Sequence, residues 1–200
     1  MTRTIRGPRL AAVVGVVGFW TCASLGAAQQ PGYDRAQDYL SSLAAVGADQ
    51  PGWGLLMFAF AVLVVVAGAW RARSGTLLAS AAALAVAAVA RVDCPAGAAQ
   101  CSAGTLAVEP DALSRVHAAS VVAYQVLFTA ALLHLAWVAR RCGQSHAAAA
   151  ALLGAVVPFA LAFDPLPLAP GLSQRLWVVA GQVVLVAVAF WPPRPDSVAP

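Results

Sequence analysis

The sequence predicts an all-α polytopic membrane protein, a bundle of six transmembrane helices with a short interfacial helix in its first outer loop. Three observations lead there. Hydrophobic residues make up 61% of the 200-residue chain and charged residues only 10%, where a soluble domain carries about a quarter. The apolar residues collect into six runs, at about 10–28, 53–70, 76–91, 116–138, 147–163 and 176–191. The twelve basic residues are all arginine and are spread among the gaps between those runs. That spread is a topology signal, not the basic patch that would suit nucleic acid. The whole chain, 1–200, reads as one integral membrane domain.

The first run follows a basic start with Arg3, Arg6 and Arg9. About 19 residues suffice to cross a bilayer and are long for a signal-peptide core. Cleavage near Ala27–Ala28 is the competing reading and would leave five spans. Between the first two runs, Tyr33, Ala36, Leu40 and Leu43 fall on one helical face, with Asp34, Asp38 and Ser41 near another. The spacing predicts a short amphipathic helix lying along the interface. Pro31–Gly32 and Pro51–Gly52 punctuate its ends.

The second run carries Trp53 and Trp70 at its two ends, where an amphipathic ring prefers the headgroup level. Arg71, Arg73, Ser74 and Gly75 make a tight turn into the third, alanine-rich run, whose small side chains suit close helix packing. The fourth run is the most polar. His117, Ser120, Tyr124 and Phe128 step by three or four residues and share a face. Polar groups at membrane depth usually turn inward. The fifth run holds Pro158, which can kink it, and the sixth holds Gln182 as its one strongly polar member.

With the N-terminus placed inside, the inner segments hold eight arginines and one acid, and the outer segments four arginines and seven acids. The bias places both termini in the cytoplasm of a prokaryotic cell, with the protein multi-pass in its inner membrane. The polar interval 91–117 is then the main outer loop. Cys94 and Cys101 enclose six residues there, in a compartment that permits a disulfide. Their spacing is wider than that of a zinc knuckle. Cys22 and Cys142 read as isolated packing residues.

Charge collects at the outer ends of the spans. Asp93 closes the third, His117 opens the fourth, Asp164 closes the fifth and Arg175 opens the sixth. Asp34, Asp38 and Ser41 lie on the interfacial segment. Brought together, they would form a polar cup. His117 with Asp93 could hold a metal or act as a general base, Ser41 could be a nucleophile, and Arg175 could take a lipid phosphate or carboxylate. Tyr124, Asp34, Asp38 and Asp164 would complete a ligand site. Each residue also has a plainer use. The two loop acids can cap or solvate a short helix, Asp93 can pair with Arg91 or Arg175, and His117 can hydrogen-bond between helices.

GYDRAQDYLSSLAAVGADQPGW after the first run, RVDCPAG after the third, RVHAASVVAYQ entering the fourth and GLSQRLW before the sixth resemble the bacterial and archaeal family filed as domain of unknown function 998. The resemblance covers roughly residues 10–191 and implies a small six-helix integral membrane protein. It carries onto Tyr33, Asp34, Ser41, Asp93, His117, Gln174 and Arg175 and confers no activity. The family's acidic residue after the serine is replaced here by Leu43–Ala44. A Ser/Asp/His set on helix ends also resembles the ceramidase–receptor membrane hydrolases, but those have seven spans and more histidines.

The functional expectation is a protein that binds a membrane lipid or a membrane protein partner through the outer cup. A small-solute or lipid transporter lined by Gln125 and Gln182, and a metal-assisted lipid hydrolase or transferase using Asp93 and His117, are the alternatives. The sequence names no cofactor. A shared haem is excluded for His117 and His134, which one helix would hold roughly 25 Å apart.

Overall fold

The computed structural model describes residues 6–92, 112–162 and 168–190. Six α-helices run up and down in chain order: α1 Arg6–Gln29, α2 Pro51–Ala72, α3 Gly75–Val89, α4 Ala112–Arg141, α5 Ser145–Ala162 and α6 Pro170–Phe190. Each packs on its chain neighbour, and α6 closes the bundle against α2 and α1. Four of them, α1, α2, α4 and α6, are long and apolar enough to cross a membrane, which makes this a multi-pass membrane protein. The apolar α3 and α5 are shorter. At 15 residues, α3 rises only about 22 Å, less than a typical hydrocarbon core of about 30 Å.

The helix ends follow local chemistry. Pro51 sits in the first turn of α2, where a missing N–H costs nothing. Arg73 takes a left-handed conformation, φ 50°, at the end of α2. Ser74 then caps α3 by accepting from the Leu77 N–H at 3.2 Å. The α4–α5 turn repeats the device with Gly143 at φ 71° and the Gln144 N–H on the Ala139 carbonyl at 2.9 Å. In the α1–α2 contact, Gly15 and Gly18 let the helices meet. A Cβ on Gly15 would lie 2.5 Å from Val64 Cγ2, and one on Gly18 2.6 Å from the Phe60 ring. Small residues at helix contacts are the usual route to tight packing where lipid offers no hydrophobic drive. Phe128, Leu132, Leu185, Met57, Leu77 and Val65 fill the middle.

The first loop departs from the expected amphipathic helix. Residues 31–39 form turns, followed by a 3-10 turn at Leu40–Ala44. The reason is local competition for backbone groups. Asp34 Oδ1 accepts from the Ala36 N–H at 2.8 Å, and Asp38 Oδ2 accepts from the Asp34 N–H at 2.7 Å. Leu40, Leu43 and Ala44 are buried against the bundle instead of lying at an interface.

Candidate functional site

The first loop is pinned across one end of the bundle by three side chains from distant elements. Gln174, in the first turns of α6, accepts from the Leu40 N–H at 2.5 Å. Arg91, just past α3, donates from Nε to the Ala44 carbonyl and from Nη2 to the Ala45 carbonyl, both at 2.7 Å. Arg175 donates from Nη1 to the carbonyls of Asp38, at 3.1 Å, and Gly171, at 2.8 Å. Its Nη2 donates to the Tyr33 hydroxyl, and the guanidinium lies 5.6 Å from the centre of that ring. Burial pushes the Tyr33 phenol above its ordinary value, and the charge and hydrogen bond of Arg175 oppose the shift. These guanidiniums reach main-chain carbonyls of the first loop and of the first turn of α6. In a poorly hydrated setting, such groups must find a donor.

His117 sits beneath this loop on α4 and is 7% exposed. Its Nδ1 is 2.8 Å from the Ala87 carbonyl and 2.9 Å from the Ala90 carbonyl. Both partners only accept, so Nδ1 carries the proton and is shared between them. The ring thereby caps the end of α3 and ties it to α4. Phe58 of α2 meets it edge-on at 6.1 Å.

Below His117 the bundle is incompletely filled. Since α4 packs along α3 and α5 and not along α2 or α6, a partly open cavity of about 80 Å³ is left between them. Its wall is mainly apolar, with Phe19, Met57, Phe58, Val65, Leu84, Val121 and Leu185 among the lining residues. Six polar-tipped side chains join them: Ser41 from the loop, His117 and Tyr124 from α4, and Gln174, Trp177 and Gln182 from α6. Among the described residues, no acidic, lysine or arginine side chain lines it. Tyr124 stacks on Phe128 at 5.7 Å and meets Trp177 at 6.1 Å. The Trp177 indole donates to Gln125 Oε1 at 2.7 Å, bridging α6 to α4. The Trp20 indole of α1 donates to Gln182 Oε1 at 2.8 Å.

The expected cup is therefore divided. Ser41, His117 and Tyr124 meet at the cavity. Asp34 and Asp38 fold the loop through backbone N–H groups, and Arg175 is engaged by carbonyls and Tyr33. Asp93, Asp164, Cys94 and Cys101 lie outside the described residues. Among the described residues, no group of three or more His, Cys, Asp or Glu is placed to hold a metal, and Cys22 and Cys142 are free thiols. Trp177 was not distinguished as a site residue by its sequence context, since a tryptophan near a span end looks like an interface anchor. Gln182 did carry a signal, as an amide in the middle of an apolar run.

Fold and cavity define a class, the polytopic helical-bundle membrane proteins with an internal, mostly apolar cavity. Over residues 13–191 the chain matches the family model described as Protein of unknown function (DUF998), and it belongs to that family. No curated protein and no solved structure matches it.

Proposed function

We propose that this protein binds the end of a lipid-like molecule inside its bundle and works by holding it. The observation that carries the reading is the cavity, apolar along most of its wall with a few convergent polar groups, the usual composition of a small-molecule site. The first loop, held by Gln174, Arg91 and Arg175, contributes Leu40 and Ser41 to the cavity wall. We place the loop end of the bundle outside the cell, with both termini in the cytoplasm, on the arginine bias of the sequence. Six crossings fit the connections. Arg91, at the end of α3, reaches the loop that precedes α2, so α3 returns to the end from which α2 starts. Ser173 in the first turn of α6 donates to the Leu161 carbonyl at the end of α5. On the same outer side, Cys94 and Cys101 are proposed as a bridged pair.

Native mass spectrometry of the gently solubilised protein, read for lipid and metal together, tests the reading. Retained lipid in the parent and its loss in Val121→Trp, which fills the cavity, is the expected pair of results. Equal occupancy in both proteins, or none in either, refutes it. A second reading, a lipid hydrolase or transferase, is favoured by one observation: Ser41 and His117 line the same cavity. A stoichiometric metal that disappears in Asp93→Ala or His117→Ala would replace the first reading with this one.

A further inference from the structure

Gln182 is 7% exposed and lies at the cavity wall, halfway along α6. Its amide orientation is fixed. The Trp20 indole can only donate, so the atom it meets at 2.8 Å must be the carbonyl oxygen. Nε2 is then the other end of the amide, and it is buried with no hydrogen-bond partner among the described residues. A buried amide donor left bare is costly, and native proteins rarely tolerate one without a reason. Tyr124 of α4 lines the same cavity. Neither Gln182 nor Tyr124 bears a charge at neutral pH, and among the described residues no acid, lysine or arginine lines the cavity to balance one.

From this we infer that the ligand is uncharged and presents a carbonyl oxygen to Gln182 Nε2. The inference rests on the reading that the cavity holds a membrane ligand, and it names that ligand's class. A void of about 80 Å³ is smaller than the roughly 150 Å³ that accepts benzene. It therefore takes a compact carbonyl-bearing end, with the apolar remainder of the molecule lying beyond the opening. A charged headgroup would find no carboxylate, lysine or arginine counter-charge among the described residues that line it.

The test uses the full-length protein in nanodiscs of diether phospholipids, which contain no carbonyl. Three probes of equal chain length are added: hexadecan-2-one, hexadecane and hexadecylammonium. Bound probe is counted by native mass spectrometry. The ketone is expected to bind about tenfold more tightly than the alkane, the worth of one hydrogen bond, with the ammonium weakest. Gln182→Met, which keeps length and removes the donor, is expected to erase the ketone's advantage and leave the alkane unchanged. Repeating the titration in ester-linked phospholipid separates two sources of the carbonyl. Displacement of the ketone there assigns it to the ester of a bilayer lipid, and undiminished binding assigns it to a free carbonyl compound.

Equal binding of ketone and alkane by the parent protein overturns the inference while leaving ligand binding intact, and would leave water alone to satisfy Nε2. That comparison needs no variant, so a poorly folding Gln182→Met does not rescue the claim. Absence of binding by all three probes in both lipids removes the ligand-binding reading itself.

Discussion

Replacing His117 with alanine removes one donor and strands two acceptors. Nδ1 is shared by the Ala87 and Ala90 carbonyls, at 2.8 and 2.9 Å, where α3 ends. Losing a net hydrogen bond costs about 0.5–1.5 kcal/mol, and a buried carbonyl left unpaired costs about 1–3 kcal/mol. The edge-on contact with Phe58 at 6.1 Å adds about 0.5–1.5 kcal/mol. These terms overlap, and a loss of about 2–4 kcal/mol is expected. On the scale of soluble domains of this length, that lowers the melting temperature by roughly 5–15 °C. The discriminating partner is His117→Asn. Its amide nitrogen takes the place of Nδ1, so it should recover most of the loss, whereas it supplies nothing in the place of Nε2. Melting would be followed by tryptophan fluorescence of the purified protein in detergent. If the alanine variant melts with the parent, the capping role is refuted. If the alanine and asparagine variants are equally unstable, the ring and not its Nδ1 proton carries the effect.

Arg91→Gln loses a two-pronged clamp on the Ala44 and Ala45 carbonyls. Charge-assisted bonds are worth about 1.5–3 kcal/mol, and the first loop should loosen. Limited trypsinolysis after Arg35 should therefore quicken several-fold, and an unchanged rate would count against the clamp. The buried Tyr33 phenol predicts an alkaline effect of definite sign. Its folded pKa lies above its ordinary value near 10. The folded state therefore holds that proton more tightly than the unfolded chain does. The stability attached to this group is fully present below pH 10 and is lost as pH rises toward the folded value. Tyr33→Phe should show a shallower fall in melting temperature between about pH 9 and 11 than the parent, and parallel curves would reject the assignment.

Helix number, order and approximate position were legible because hydropathy is a local property, read run by run. The apolar stretches at 53–70, 116–138 and 176–191 became α2, α4 and α6, each extended by polar or proline-containing turns that hydropathy discounts. Inward-facing polar residues were also legible, since burying Gln125 or Gln182 in lipid would be costly. Family membership followed from motifs that are themselves local.

Only the tertiary structure decided how the first loop folds. Tyr33, Ala36, Leu40 and Leu43 have helical spacing, but the groups that fix the backbone are Gln174, Arg175 and Arg91, the first two more than 130 residues away in the chain. A single sequence does not say which carbonyl a distant guanidinium will meet. The same holds for His117, whose spacing fits a ligand or base equally well until α3 is seen to end within hydrogen-bond reach of its Nδ1. The cavity, too, is a property of packing. It exists because α4 follows α3 and α5 and stands off from α2 and α6, an arrangement set by the volumes of side chains on five helices at once.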